Sequence, residues 1–326
     1  MGPRTVKLMK VQSMCEIVDL RLLAARELDS LLAEETAAWR ETLDWEFERS
    51  ADLVRRFVDL HMLNGRALVE DGEVIGYLYY VLEDNKGLLG DLYIKQAWRT
   101  EERENQLMDA ALEEIMAGPG TTRIESQFLM MPHTKDRALP RAEYLSRFER
   151  NFMRVELRRA LLGRGVVRKL VRIERWNDQW NELAANLITE AYRDHVDSRI
   201  NDQYQNIVGA RRFLFNIVQY PGCGVFHRPA SFAAFEPESG KLCGMSLASL
   251  VAPDCGHLTQ ICVSPATRGT GVGHELMRQS LEALRALGCH AASLTVTAAN
   301  ENAVALYERM GFRTGRKFLA LVWEGF

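Results

Sequence analysis

Nowhere in the 326 residues does an apolar run approach the roughly 20 residues that a membrane span needs. The opening Met1-Gly-Pro-Arg-Thr-Val-Lys-Leu-Met-Lys lacks the apolar core of a secretory leader. Both absences point to a cytoplasmic protein. An excess of one charge is missing too: 41 Lys and Arg stand against 44 Asp and Glu, for a net charge of -3, with no basic run. Neither nucleic acid nor a membrane surface is therefore expected as a partner. The six cysteines, Cys15, Cys223, Cys243, Cys255, Cys262 and Cys289, include no Cys-x-x-Cys pair and no histidine at ligand spacing. They read as small buried hydrophobes, and no metal is expected. Asp194, His195 and Asp197 lack the second cluster that a metal site needs.

What is present is an ordinary globular composition, 47% hydrophobic and 26% charged, in a chain long enough for two domains. Alternation and helical spacing give one order of elements. Cys15 to Leu22 reads as a strand, Ala25 to Trp45 and Ser50 to Met62 as helices. Arg66 to Glu70 and Val74 to Leu82 form a hairpin around Asp71-Gly72. Strand Leu88 to Ile94, helix Glu102 to Ala117 and strand Thr122 to Met130 follow.

The same order then repeats. Val167 to Trp176 reads as a strand, and Asp178 to Tyr192 and Ile207 to Gln219 as helices, the second ended by Pro221-Gly222. Phe232 to Phe235, Lys241 to Val251 and Gly256 to Val263 are strands. A helix to Leu287, strand Ala291 to Thr297, helix Asn302 to Met310 and strand Lys317 to Trp323 close the chain. This suggests a tandem duplication, divided near Gly163 to Gly165 into residues 1–163 and 164–326.

One stretch of the second half carries chemistry. After the apolar run Leu258 to Val263 come Ser264-Pro-Ala-Thr-Arg268-Gly269-Thr270-Gly271-Val272-Gly273 and an amphipathic helix with Leu276, Met277, Leu281, Leu284 and Leu287 on one face. Glycines at a helix start let backbone N–H groups approach an anion, and the helix dipole adds attraction. The loop reads as a phosphate cradle, although a glycine turn that binds nothing has the same pattern. It is neither a P-loop nor a dinucleotide fingerprint. Aligning Arg99 with Arg268 puts Glu102 and Glu104 of the first half where Gly271 and Gly273 stand. Two carboxylates would occupy that cradle and repel a pyrophosphate.

The loop resembles the Arg/Gln-x-x-Gly-x-Gly/Ala pyrophosphate loop of the GNAT superfamily of acetyl-CoA-dependent N-acetyltransferases. Downstream, Asn300-Glu-Asn-Ala303-Val-Ala-Leu306-Tyr307-Glu-Arg-Met-Gly311-Phe312 is similar to the family's second signature. The resemblance implies a mixed α/β (α+β) fold of two GNAT-like domains, each a mostly antiparallel central sheet flanked by helices. The N-terminal copy would be degenerate and without acyl-CoA, an arrangement similar to that of the mycothiol synthases.

The resemblance also implies site residues. Acetyl-CoA, with no metal, would lie on Arg268, Gly269, Thr270, Gly271, Val272 and Gly273. Asn300 would help hold its pantetheine arm, and a backbone N–H around Ile261, Cys262 and Val263 would stabilise the tetrahedral oxyanion. Tyr307 would protonate the departing thiolate. An alkyl amine with a pKa near 10.4 is neutral in only about 1 molecule in 2,500 at pH 7, so a base is expected. In the histone acetyltransferase branch a Glu stands eleven residues before the loop Arg/Gln, and here that position is His257; a plain surface histidine fits it as well.

The acceptor would be a primary amine of a small molecule or peptide, contacted by the polar and aromatic connection Tyr192 to Tyr204. Direct attack in a ternary complex is expected, since no nucleophile is placed for a covalent intermediate. The rivals are a non-catalytic acyl-CoA-binding or regulatory module and a transferase of a longer acyl group. A homodimer is left open.

Overall fold

A computed structural model of the chain describes residues 15–134, 136–220 and 222–326. The opening Met1 to Lys10 stretch and Pro221 lie outside these residues. The first half contains strands β1 (Glu16–Asp19), β2 (Gly65–Glu70), β3 (Glu73–Glu83), β4 (Lys86–Ile94), β5 (Arg123–Gln127) and β6 (Leu145–Glu156), with helices α1 (Asp29–Leu43), α2 (Glu48–Asp59) and α3 (Glu101–Ala117). The second half contains β7 (Arg172–Arg175), α4 (Asn181–Ala191), α5 (Val196–Ile200), α6 (Ile207–Gln219), β8 (Val225–Phe226), β9 (Phe232–Phe235), β10 (Leu242–Ala252) and β11 (Cys255–Val263). It closes with α7 (Val272–Ala286), β12 (Ala291–Thr297), α8 (Glu301–Arg309) and β13 (Arg313–Glu324).

All strands join one sheet in the order β1-β2-β3-β4-β5-β13-β6-β12-β11-β10-β9-β7, with β8 beside β10. Only β4–β5 and β11–β12 are parallel pairs among these strands. The mixed α/β fold with a mostly antiparallel, helix-flanked sheet is therefore present in both halves.

The sequence reading omitted β6, and β6 decides how the halves join. It pairs with β12 on one side and β13 on the other, while β13 continues to β5. Each half thus completes its sheet with the closing strand of the other, and the sheet runs unbroken across the expected division at residues 163 and 164. Packing follows the same plan: α1, α2 and Trp45 between them bury Leu31, Trp39, the Trp45 ring and Val54 in a cluster that includes Val251, Ala291 and Phe318 of the second half.

The two halves share a close approach of helix to sheet that identifies their true register. A Cβ on Gly87 would lie 2.8 Å from Ile115 of α3, and one on Gly256 would lie 2.5 Å from Leu284 of α7. Gly87 is therefore the counterpart of Gly256, and the parallel pairings of the two halves start from equivalent positions. On α7 the stripe Leu276, Met277, Leu281 and Leu284 is fully buried. Each such side chain contributes about 1.5–3 kcal/mol relative to exposure.

Four of the six cysteines are buried as expected; Cys15 and Cys223 are exposed. No helix among the described residues is long and apolar enough to cross a membrane. No group of three His, Cys, Asp or Glu side chains among them could hold a metal ion.

Candidate active site

The site lies where β11 and β12 part. Their parallel pairing covers Cys255–Leu258 against Ala291–Leu294 and goes no further. A bulge causes the divergence: Ala248 pairs with Leu258 and Leu247 with Gln260, leaving Thr259 as an extra residue on β11. Beyond it β11 follows β10 alone. Ser264 donates its N–H to Cys243 on the β10 side, at 2.9 Å. Alternation therefore turns the N–H groups of Ile261 and Val263 towards the gap and that of Cys262 towards β10. The Cys262 side chain packs in the core with α4 and α6, where burial pushes its thiol up to about 12.

The glycine loop stands at the mouth of this gap. Gly269 and Gly271 have φ of 74° and 89°, values that favour glycine. Gly271 is the residue from which α7 starts, and no side chain caps the helix. The first helical bond there runs from the N–H of Glu275 to the carbonyl of Gly271, at 3.1 Å. The N–H groups of Val272, Gly273 and His274 precede the helix's own acceptors. A Cβ on Gly273 would meet nothing closer than Val263 at 3.7 Å, so glycine leaves the approach open. The loop is braced from inside: Thr270 Oγ1 donates to the Thr267 carbonyl at 2.7 Å, and Arg268 Nη2 to that of Ala191 at 2.5 Å. The Arg268 guanidinium thus ties the loop to the end of α4.

The first half shows the same place filled. Glu104, the counterpart of Gly273, is 1% exposed and bridges Arg99, at 3.1 Å, and Arg137, at 2.5 Å. Glu102 does not join it; its side chain is exposed. One internal carboxylate, rather than two, takes the arginines, and Thr100 caps α3 by accepting from the Arg103 N–H.

A cavity of about 1220 Å³ opens from the gap, lined by the glycine loop, α8, the connection from Tyr192 to Tyr204 and the first half's Leu88, Gln127 and Arg150. Tyr307 is buried in its wall, and desolvation raises its hydroxyl well above the ordinary tyrosine value. It is a neutral phenol near pH 7, with no hydrogen bond from its hydroxyl to another described residue. Asn300 Oδ1 caps α8 through the N–H of Ala303 at 3.3 Å, and its Nδ2 lies 3.3 Å from His195 Nε2. His195 in turn has Asp197 Oδ2 at 3.7 Å, and Asp197 accepts a hydrogen bond from Thr297. The connection's aromatics form the facing wall, Tyr192 stacked on Tyr204 at 4.4 Å between ring centres.

His257 does not fit the role of base. It is 3% exposed, with Nδ1 held 3.0 Å from Ser293 Oγ and its ring 4.8 Å from that of Trp45 of the first half. Burial lowers its pKa to about 3, which makes it far too weak a base for an alkylammonium. It serves the packing between halves.

These features converge on one family. Residues 186–312 match the Acetyltransferase (GNAT) family. That match lies within the second half and spans less than half of the chain. No curated protein sequence matches the chain. Among solved structures, a GCN5-related N-acetyltransferase from Sphaerobacter thermophilus is similar with a TM-score of 0.65, at 15% identity over 95% of each chain. A tandem GNAT protein from the clavulanic acid biosynthesis pathway has a TM-score of 0.57, at 15% identity over 95% of this chain and 98% of that one. A glucosamine N-acetyltransferase region of a fungal multi-domain β-N-acetylglucosaminidase gives 0.63, at 15% identity over 99% of this chain and 40% of that one. At such identities the likeness is one of fold, and it spans both halves. The family matched by residues 186–312 is one of acetyltransferases.

Proposed function

We propose that the protein transfers an acetyl group from acetyl-CoA to a primary amine of a small molecule or peptide, through one site in its second half. The observation that carries this reading is the gap between β11 and β12, with the uncapped glycine loop at one end and the Tyr307 phenol on its wall. When bound, acetyl-CoA supplies an acyl group activated as a thioester. The N–H groups at the start of α7 hold its pyrophosphate. Those of Ile261 and Val263 meet the oxygen that becomes negative when the amine adds to the carbonyl carbon. As the carbon–sulfur bond breaks, Tyr307 gives its proton to the sulfur and regains one from solvent.

The amine must first lose a proton. Of the three imidazoles lining the cavity, His195 alone has a carboxylate, Asp197, within 4.0 Å. We assign it the base's role. Residues 1–163 are then a copy that binds no acyl-CoA, because Glu104 already occupies the cradle and pairs with its arginines, and that serves as scaffold. Steady release of CoA thiol from acetyl-CoA across a panel of amines supports the enzyme. Tight acetyl-CoA binding with no turnover on any amine favours a binding module instead.

A further inference from the structure

The first half sends one cation into the cavity. Arg150 lies on β6, opposite Thr297 of β12 and Phe318 of β13, so the exchange of closing strands is what brings it to the site. Its Nη2 donates to Thr295 Oγ1 at 3.3 Å, and its buried Nε has no hydrogen-bond partner. It forms no ion pair with a described carboxylate. Its positive charge works against the rise that burial gives the Tyr204 and Tyr307 hydroxyls. Arg150 is half-buried, and its guanidinium donates in a planar fork suited to a carboxylate or phosphate.

A carboxylate stands close by without closing on it. Asp197 accepts from the Thr297 hydroxyl, and Thr297 is the cross-strand neighbour of Arg150. The two opposite charges face one cavity, yet no ion pair joins them. Arg150 is free to take an anionic group, and Asp197 to attract an ammonium.

We propose that the acceptor is an amine that also bears an acidic group, carboxylate or phosphate, seated on Arg150. This rests on the acetyltransferase reading above, and it makes the first half a specificity element. The test measures kcat/KM for CoA release from acetyl-CoA with matched acceptors: glycine and methylamine, β-alanine and ethylamine, lysine and cadaverine, O-phosphoethanolamine and ethanolamine. The acid-bearing member of at least one pair is preferred by roughly 10- to 100-fold, as one charge-assisted contact allows. Arg150→Gln brings that ratio near one, and Arg150→Lys keeps part of it. Because the ratio is taken within each variant, loss of folded protein does not change it. Equal use of both members of every pair, or an unchanged ratio in Arg150→Gln, overturns the proposal. Faster acylation of the acid-free amines from succinyl-CoA than from acetyl-CoA also overturns it, since the anion then belongs to the acyl chain. If no amine is acetylated, calorimetry on the CoA-saturated protein decides. N-acetylglycine or N-acetyl-O-phosphoethanolamine binding that Arg150→Gln abolishes supports the seat, and binding no tighter than that of N-methylacetamide overturns it.

Discussion

Lys86 of β4 and Asp202, in the turn before α6, form an ion pair that ties the first half to the acceptor wall of the second. Glu125 lies 3.6 Å from the same ammonium and accepts the Asp202 N–H at 3.1 Å. Gln203 reaches Glu83 at 3.1 Å, and Arg123 donates to the Arg199 carbonyl at 2.7 Å. The connection between α4 and α6 is thus held from outside its own domain.

Lys86→Met should loosen that wall. Lys86 is 4% exposed, and its loss leaves Asp202 without its cation and Glu125 with Arg123 alone, at a cost of about 3 kcal/mol or less because Asp202 is partly solvated. The acceptor KM should rise several-fold while the thermal shift given by acetyl-CoA stays as in the wild type. An unchanged acceptor KM would remove the first half from substrate positioning.

Tyr307→Phe should lower kcat by about 10²- to 10⁴-fold, the range for one general acid, and leave acetyl-CoA affinity nearly intact. Since burial raises the Tyr307 pKa, its ionisation should not produce an alkaline fall in activity below about pH 10. Equal turnover in the variant would take Tyr307 out of the proton path.

Stability should carry two opposing dependences on pH. Glu35 and Asp91 face each other in the first half, and burial raises both, Asp91 to about 6. Between about pH 4 and 6 the folded chain keeps a proton that the unfolded chain releases, so this pair loses stability as pH rises. His257, lowered to about 3, does the reverse: below about pH 6.5 the unfolded chain binds a proton that the folded one does not. The double variant Glu35→Gln, Asp91→Asn should therefore show a more positive slope of stability against pH from 4 to 6. The change should be up to about 1.4 kcal/mol per pH unit for each proton removed. Urea midpoints at pH 4, 5 and 6 measure it, and an unaltered slope would contradict the burial of the pair.

Local patterns were legible where side-chain period and breakers agree. The bounds of α6, β9 and β12 are those that spacing predicts. The strand β6 was not read, because Arg147, Glu149, Arg150 and Arg154 interrupt its apolar residues. Those charges make sense only beside β12 and β13, where Glu149 meets Lys317 and His133. Arg150 was missed for the same reason: nothing in the order of residues says that this strand crosses into the other half. Residue type alone would set Gly90-Asp-Leu-Tyr-Ile against Gly256-His-Leu-Thr-Gln-Ile, while packing under the helix puts Gly87 opposite Gly256. The glycine loop and the Tyr307 motif are legible in the sequence because each is a pattern of local spacing. The misreading of His257 arose because burial is a property of the whole fold.

Calorimetric titration with acetyl-CoA tests the account most directly. The wild type should bind one equivalent per chain, and Gly273→Glu, which copies Glu104 into a place with room for its Cβ, should bind none. Ligand at 100 times Kd should stabilise the wild type by about 2.7 kcal/mol and leave the variant unmoved. Two equivalents per chain, or undiminished binding in Gly273→Glu, would contradict a single cradle in the second half.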